Sequence, residues 1–243
     1  MTCFGPIGVR GKVQAGSEVP AAAAIGPKAR TRTLCAAAAG GGVLLGGASL
    51  LPYFGTAGAA HVLGNSAAIW LACAYAIGAR SGGYVRGAAA GTSLLLVTLT
   101  AFFAGTHLLY PANSNLASGV AFGDTLWLIP AVCGGSSFGA LGWLWRSRRP
   151  VLKALASSAM GAAFLAEGAL YGDAAAGSGS RAGVAVSAAE AAFGICVAFV
   201  LARGRPARRA VLWLLPLLSG AVFLALFLAF HLVGGLAGRL SSG

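Results

Sequence analysis

Two glutamates inside apolar segments are the residues best placed to do chemistry. Glu167 lies in the run AAFLAEGALY (162–171), Glu190 lies in the next apolar segment, and the whole chain has only five acidic residues. A charged side chain at the centre of a bilayer costs about 2.5 to 3.5 kcal/mol on insertion scales, so it usually faces a bundle interior or a water-filled cavity and has a partner. Two such carboxyl groups predict a polar site that a cationic ligand could compensate.

Four further polar residues are predicted in the same half of the membrane, once the orientation below is adopted. With a rise of about 1.5 Å per residue, Glu167 lies about 6 Å and Glu190 about 10 Å below the outer surface. The candidate ligand-binding set comprises Glu167, Glu190, His231, Asn65, His107 and Asp124. Each side chain could instead extend to the interface or bond a neighbouring helix, so a structural role stays open.

Signatures of catalysis and of metal binding do not emerge from the sequence. It contains no Walker A motif, no H-E-x-x-H and no dinucleotide fingerprint, and its five cysteines are dispersed without metal spacing. The run GGSSFG around Ser136 could suggest a serine nucleophile, but its predicted depth differs from that of His231 by more than a hydrogen bond can bridge. The sequence therefore predicts a protein that is not an enzyme and has no catalytic residue, metal site or cofactor.

These residues must be positioned by membrane-spanning helices. The chain is 58% hydrophobic and 9% charged, whereas charged residues make up about 25% of an average soluble domain. Crossing about 30 Å of hydrocarbon takes about 20 mostly apolar residues. Seven segments qualify: 34–52, 61–79, 87–109, 125–145, 154–171, 183–202 and 210–233. The second is the weakest, because polar residues occupy its first turns, and it could be short or only half inserted. The predicted fold is an all-α integral membrane bundle of about seven transmembrane helices.

The basic residues set the orientation of these segments. Placing the N-terminus in the cytoplasm puts fifteen of the seventeen Lys and Arg residues on the cytoplasmic side, as expected for a multi-pass protein of a bacterial inner membrane. The C-terminus is then external. Residues 1–33 are predicted to form a flexible basic cytoplasmic leader, 34–235 the transmembrane domain and 236–243 a short external tail. Topology alone accounts for the net charge of +12, so the sequence indicates no nucleic-acid partner.

Small residues recur at four-residue spacing in several of the segments. Examples are Gly42 with Gly46, Gly87 with Gly91, Gly135 with Gly139, and Ser157 with Gly161. This spacing lets helix backbones approach closely in lipid. It predicts a compact bundle, and the same Gly-rich faces could also serve a homo-oligomer or a membrane partner.

Several short motifs resemble a family of small, uncharacterised multi-span membrane proteins. They are Asn65-Ser66-Ala67-Ala68-Ile69-Trp70 with Gly78-Ala79, then Phe138-Gly139 with Trp143, Trp145 and Arg146, and then Ala166-Glu167-Gly168. The resemblance covers about residues 38–233. It implies a helical membrane protein and brings no activity.

Two functions follow from these observations. The first is a multi-span protein of the cell membrane whose polar pocket opens to the external side and binds a small solute or cation, with transport as one use. The alternative is a non-catalytic membrane component that packs against a partner protein or lipid and binds no solute.

The orientation can be tested with reporter fusions. A reporter placed after Arg149 or Arg208 is expected in the cytoplasm, and one placed near Ser178 is expected outside, because basic loops are retained on the cytoplasmic side. Enzymatic reporters that are active on only one side of the membrane would measure this. An external signal from the 146–153 loop would contradict the orientation and every depth derived from it.

Overall fold

The computed structural model describes residues 27–50, 66–109 and 127–241. Those residues form seven α-helices, so the all-α prediction is confirmed for this part of the chain. The helices are α1 (Pro27–Ala48), α2 (Ala67–Ala79), α3 (Tyr84–Leu109), α4 (Leu128–Trp145), α5 (Pro150–Gly177), α6 (Arg181–Leu201) and α7 (Arg205–Ser241). Each corresponds to one of the apolar segments of the sequence.

Four of these helices are long and apolar enough to cross a membrane: α3, α4, α6 and the part of α7 from Arg205 to Leu228. This supports a membrane protein with several spans. Helices α1 and α5 have 22 and 28 residues but are less apolar. The complete count of seven crossings, and the side on which each terminus lies, stay predictions.

Helix α2 is the short element that the sequence analysis singled out. Its 13 residues span about 20 Å at the helical rise, against about 30 Å of hydrocarbon. It begins at Ala67, whereas the predicted segment begins at residue 61, and residues 61–65 lie outside the described part of the chain. The described portion of this segment therefore reaches only part of the way across a bilayer.

The outer helices also extend beyond their predicted limits. Helix α1 begins at Pro27, so residues 27–33 of the predicted leader are helical, and the rest of the leader lies outside the described residues. Helix α7 runs on to Ser241 and takes in most of the predicted tail. Both extensions include polar residues, so apolarity alone does not mark where these helices stop.

Helix α5 is the centre of the bundle. It packs against α2, α4, α6 and α7, and its residues are buried almost without interruption from 154 to 168. Alanine, glycine and serine dominate this stretch because neighbouring helices approach on several sides. The shielding explains why α5 is less apolar than helices at the edge. By contrast, only 17% of the span in α6 and 11% of that in α7 are buried, and these two are the most apolar spans.

Side chains at the helix ends bring three basic turns together. The indole Nε1 of Trp145, at the end of α4, donates to the Leu201 carbonyl oxygen at the end of α6, at 2.9 Å. Arg146 Nη1 lies 3.4 Å from the carbonyl oxygens of Ala79, the last residue of α2, and of Ser81, in the turn that follows it. The turns after α2, α4 and α6 therefore share one end of the bundle. The sequence predicts that this end is cytoplasmic.

Glycines allow α2, α3 and α4 to pack backbone against backbone. A Cβ atom built at Gly139 of α4 would collide with the carbonyl oxygen of Gly87 in α3, and one built at Gly78 of α2 would collide with Gly139 itself. Gly91 and Gly135 make the same kind of contact between α3 and α4. These Gly-rich faces are thus occupied within the chain, and intramolecular packing accounts for their spacing.

Gly139→Ala tests this packing. The added methyl group has no free space, so we expect the free energy of unfolding to fall by about 1 to 3 kcal/mol, the usual cost of overpacking. Gly220→Ala in α7 is the matched control, because no heavy atom lies within 4 Å of its added Cβ. Unfolding of both variants in mixed detergent micelles measures the difference. Equal stability of the two would contradict the close backbone contact.

Candidate functional site

The carboxylate of Glu167 binds the beginning of α2. Its Oε1 accepts a hydrogen bond from the backbone N–H of Ala67 at 2.7 Å, and its Oε2 accepts one from Ala68 at 2.6 Å. The hydroxyl of Ser66 donates to Oε2 at 2.9 Å. Glu167 is only 3% exposed, so these donors take the place of water around its oxygen atoms. A buried carboxylate and a helix N-terminus satisfy each other here.

This arrangement follows from the electrostatics of a helix end. The first N–H groups of a helix have no acceptor within the helix, and the N-terminus carries a partial positive charge. Ser66 is the N-cap residue of α2, and its Oγ accepts a hydrogen bond from the backbone N–H of Ile69 at 3.2 Å. Glu167 supplies the remaining acceptors from α5. Together the two side chains satisfy three successive N–H groups where water is scarce.

Glu190 lies at the same place but is held differently. Its Oε1 is 3.4 Å from the Ser66 hydroxyl, which has one proton and lies closer to Glu167. The second oxygen of Glu190, Oε2, is buried and has no hydrogen-bond partner among the described residues. The two carboxyl groups therefore approach one hydroxyl from different helices. Glu167 is fully engaged, whereas Glu190 keeps an oxygen available.

Close packing of α5 on α6 brings the two glutamates together. A Cβ built at Gly168, the residue after Glu167, would lie 2.7 Å from the carbonyl oxygen of Ser187 and 3.2 Å from the nitrogen of Ala191. Farther along, Gly161 of α5 contacts Gly194 of α6 in the same way. The small residues thus set the separation of these helices, and the separation sets the distance between the carboxyl groups.

The remaining members of the predicted site are placed elsewhere or are not described. His231 is exposed, and its Nδ1 lies 3.0 Å from the Phe227 carbonyl oxygen of its own helix, with the two rings 4.0 Å apart. His107 is exposed in the last turn of α3. Asn65 and Asp124 lie outside the described residues. The structure therefore brings together Glu167 and Glu190, and the contacts of His231 are made within α7.

Ser66 and the N–H groups of Ala67 and Ala68 are the site components that the sequence analysis missed. The sequence does carry a signal for Ser66, because serine before an apolar helical run is a preferred N-cap. No residue type marks the two backbone donors. Their role depends on the carboxylate of another helix, about 100 residues away along the chain.

The serine considered as a nucleophile has a local partner. Ser136 Oγ donates to the carbonyl oxygen of Cys133 in its own helix at 3.1 Å. In the described part of the chain, no group of three or more His, Cys, Asp or Glu residues is arranged to hold a metal ion. What the site offers chemically is negative charge, a hydroxyl group and helix N–H donors.

Fold and site together define a helical membrane-type protein with paired carboxylates at the start of a short helix. A family model matches residues 25–235, and the chain belongs to that family, the Family of unknown function (DUF6518). This confirms the resemblance to an uncharacterised family seen in the sequence. No curated protein matches the chain significantly, and neither does any solved structure.

Glu167→Gln tests the helix-binding role of the buried carboxylate. An amide keeps the shape but replaces one acceptor oxygen with an NH₂ group, which would face a backbone N–H of α2. We expect the free energy of unfolding to fall by about 1 to 3 kcal/mol, the cost of leaving a buried donor unsatisfied. Melting temperatures in detergent measure the effect.

Glu190→Gln is the matched control for this measurement. Toward the described start of α2, Glu190 makes only the 3.4 Å contact with the Ser66 hydroxyl, so its substitution should leave the melting temperature close to that of the unaltered protein. A Glu167→Gln protein as stable as Glu190→Gln would show that α2 does not depend on the charged carboxylate.

Proposed function

We propose that this membrane protein binds a small monovalent cation at Glu190, with Glu167 and Ser66 forming the walls of the site. Binding, and not catalysis, is its role. The site lies at the beginning of α2, and the basic turns lie at the other end of this helix. The sequence predicts that the end with the site faces the external side. A cation from outside would therefore reach it first.

The observation that carries the proposal is the free carboxylate oxygen of Glu190. A buried polar atom without a hydrogen-bond partner is uncommon, and the cost of leaving it so is about 1 to 3 kcal/mol or more for a charged group. Glu190 Oε2 is such an atom, and it sits beside a second carboxyl group. A cation there would supply the missing contact.

The number of oxygen ligands favours a monovalent ion over a divalent one. Ca²⁺ takes six to eight oxygen ligands, and Mg²⁺ requires nearly ideal octahedral geometry. The hydrogen-bonded groups described at the site are two carboxyl groups and the Ser66 hydroxyl, and both oxygens of Glu167 already accept hydrogen bonds from α2. One weakly held positive charge suits this arrangement.

The rival function uses the same residues differently. Glu167 could serve only to fix α2 on α5, in a membrane component that meets lipid or a partner protein and binds no solute. The exposed apolar faces of α6 and α7, with Leu212, Trp213 and Leu217 among their residues, suit contact with lipid tails. Fixing α2 does not require Glu190, so Glu190 separates the two functions.

A thermal-shift experiment tests the proposal. The purified full chain is titrated with NaCl, with choline chloride holding the ionic strength constant, and then with KCl and methylammonium chloride in the same way. We expect at least one of the three small cations to raise the melting temperature, because a ligand that binds only the folded state stabilises it. Glu190→Gln should fold normally and lose this increase.

Two results would contradict the proposal. One is an unchanged melting temperature with all three cations. The other is an increase that Glu190→Gln retains in full, which would place cation binding elsewhere on the protein. Asp173→Asn is a suitable second control, because Asp173 is an exposed acid near the end of α5, and its substitution should leave the cation effect intact.

A further inference from the structure

We infer that a cation at Glu190 loosens the first turn of α2, so that the position of this short helix reports whether the site is occupied. This inference rests on the proposed function and concerns the response of the same site. It follows from the fact that two side chains have two roles each. Ser66 and Glu167 bind the first turn of α2, and they also border the free oxygen of Glu190.

A cation at Glu190 competes with α2 for oxygen atoms. Ser66 Oγ accepts from Ile69 and lies within 3.4 Å of Glu190, and the Glu167 oxygens accept from Ala67 and Ala68. A cation beside Glu190 attracts the same lone pairs that these N–H groups use. When one of these oxygens turns toward the cation, its hydrogen bond with the N–H group of α2 weakens or breaks.

A cation at Glu190 also changes the charge at the start of α2. A helix N-terminus carries about half a positive charge and is stabilised by anions nearby. With Glu190 unoccupied, two carboxyl groups lie at this helix end. A bound cation cancels part of that negative charge and adds repulsion toward the N–H groups. Both effects weaken the first turn of α2 and leave later turns unaffected, since the influence of a terminal charge falls off within one turn.

The opposite end of α2 is held by contacts with α4. A Cβ atom built at Gly78 of α2 would collide with Gly139 of α4, and one built at Gly142 of α4 would collide with the carbonyl oxygen of Tyr75 in α2. The two helices therefore touch backbone to backbone. Arg146 also contacts the carbonyl oxygen of Ala79. A loosened first turn of α2 would therefore move relative to the C-terminal end of the same helix, which stays fixed on α4. In a helix of 13 residues, such a movement changes access to the site itself.

Amide hydrogen exchange followed by mass spectrometry measures this directly. The full chain in detergent is compared in choline chloride and in whichever small cation salt gave the thermal shift, with NaCl as the first probe. We expect exchange in a peptide covering residues 66–70 to become roughly two- to tenfold faster with the cation, in line with the strength of terminal charge effects. A peptide covering residues 135–142, in the glycine contact of α4, should exchange equally in both salts.

Two variants make the result specific. Glu190→Gln should lose the response to the cation, so that residues 66–70 exchange at the same rate in both salts. Glu167→Gln should exchange quickly in both salts, because its amide cannot accept from both N–H groups. A faster exchange that persists in Glu190→Gln would be a general salt effect and would overturn the inference.

The inference and the proposed function can fail separately. If the cation raises the melting temperature through Glu190 but leaves exchange in residues 66–70 unchanged, the site exists and the coupling to α2 is wrong. If neither the melting temperature nor the exchange responds to any of the three cations, the cation site itself is wrong, and the coupling falls with it.

Discussion

The bonds from Glu167 to the first turn of α2 are the interaction on which the described arrangement depends. A helix that begins inside a bundle exposes N–H groups where little water can reach them, and a carboxylate placed among neighbouring helices needs donors. Each requirement is met by the other, at 2.6 and 2.7 Å. The short helix α2 and the buried acid of α5 are therefore two parts of one structure.

Glycine and alanine decide how closely the surrounding helices approach. In lipid, apolar side chains gain little by leaving the hydrocarbon, so close backbone packing becomes the main source of association. The contacts of Gly139 with α2 and α3, and of Gly168 with α6, illustrate this. The second of these also fixes the separation of Glu167 and Glu190. Packing and site geometry thus have a common origin in the small residues of α4 and α5.

The most apolar spans in the described part of this protein are its least buried ones. Helices α6 and α7 are little buried and strongly apolar, while α5 is deeply buried and rich in alanine, serine and glycine. A soluble protein shows the opposite trend, because its exposed faces meet water. Lipid as the surrounding solvent accounts for the pattern, and it explains why the central helix is less apolar than the spans in α6 and α7.

The sequence by itself determined the all-helical class, the approximate position of each helix and the presence of two acids on consecutive helices, since apolar length and polar placement are local properties. It also identified α2 as the weakest segment. Only the tertiary structure decided that Glu167 binds α2, that Ser66 stands between the two carboxyl groups, and that the contacts of His231 lie on its own helix. The physical reason is that the partners of Glu167 are mostly backbone N–H groups about 100 residues away. Every residue has such a group, so no pattern of side chains reveals which of them an acid will find.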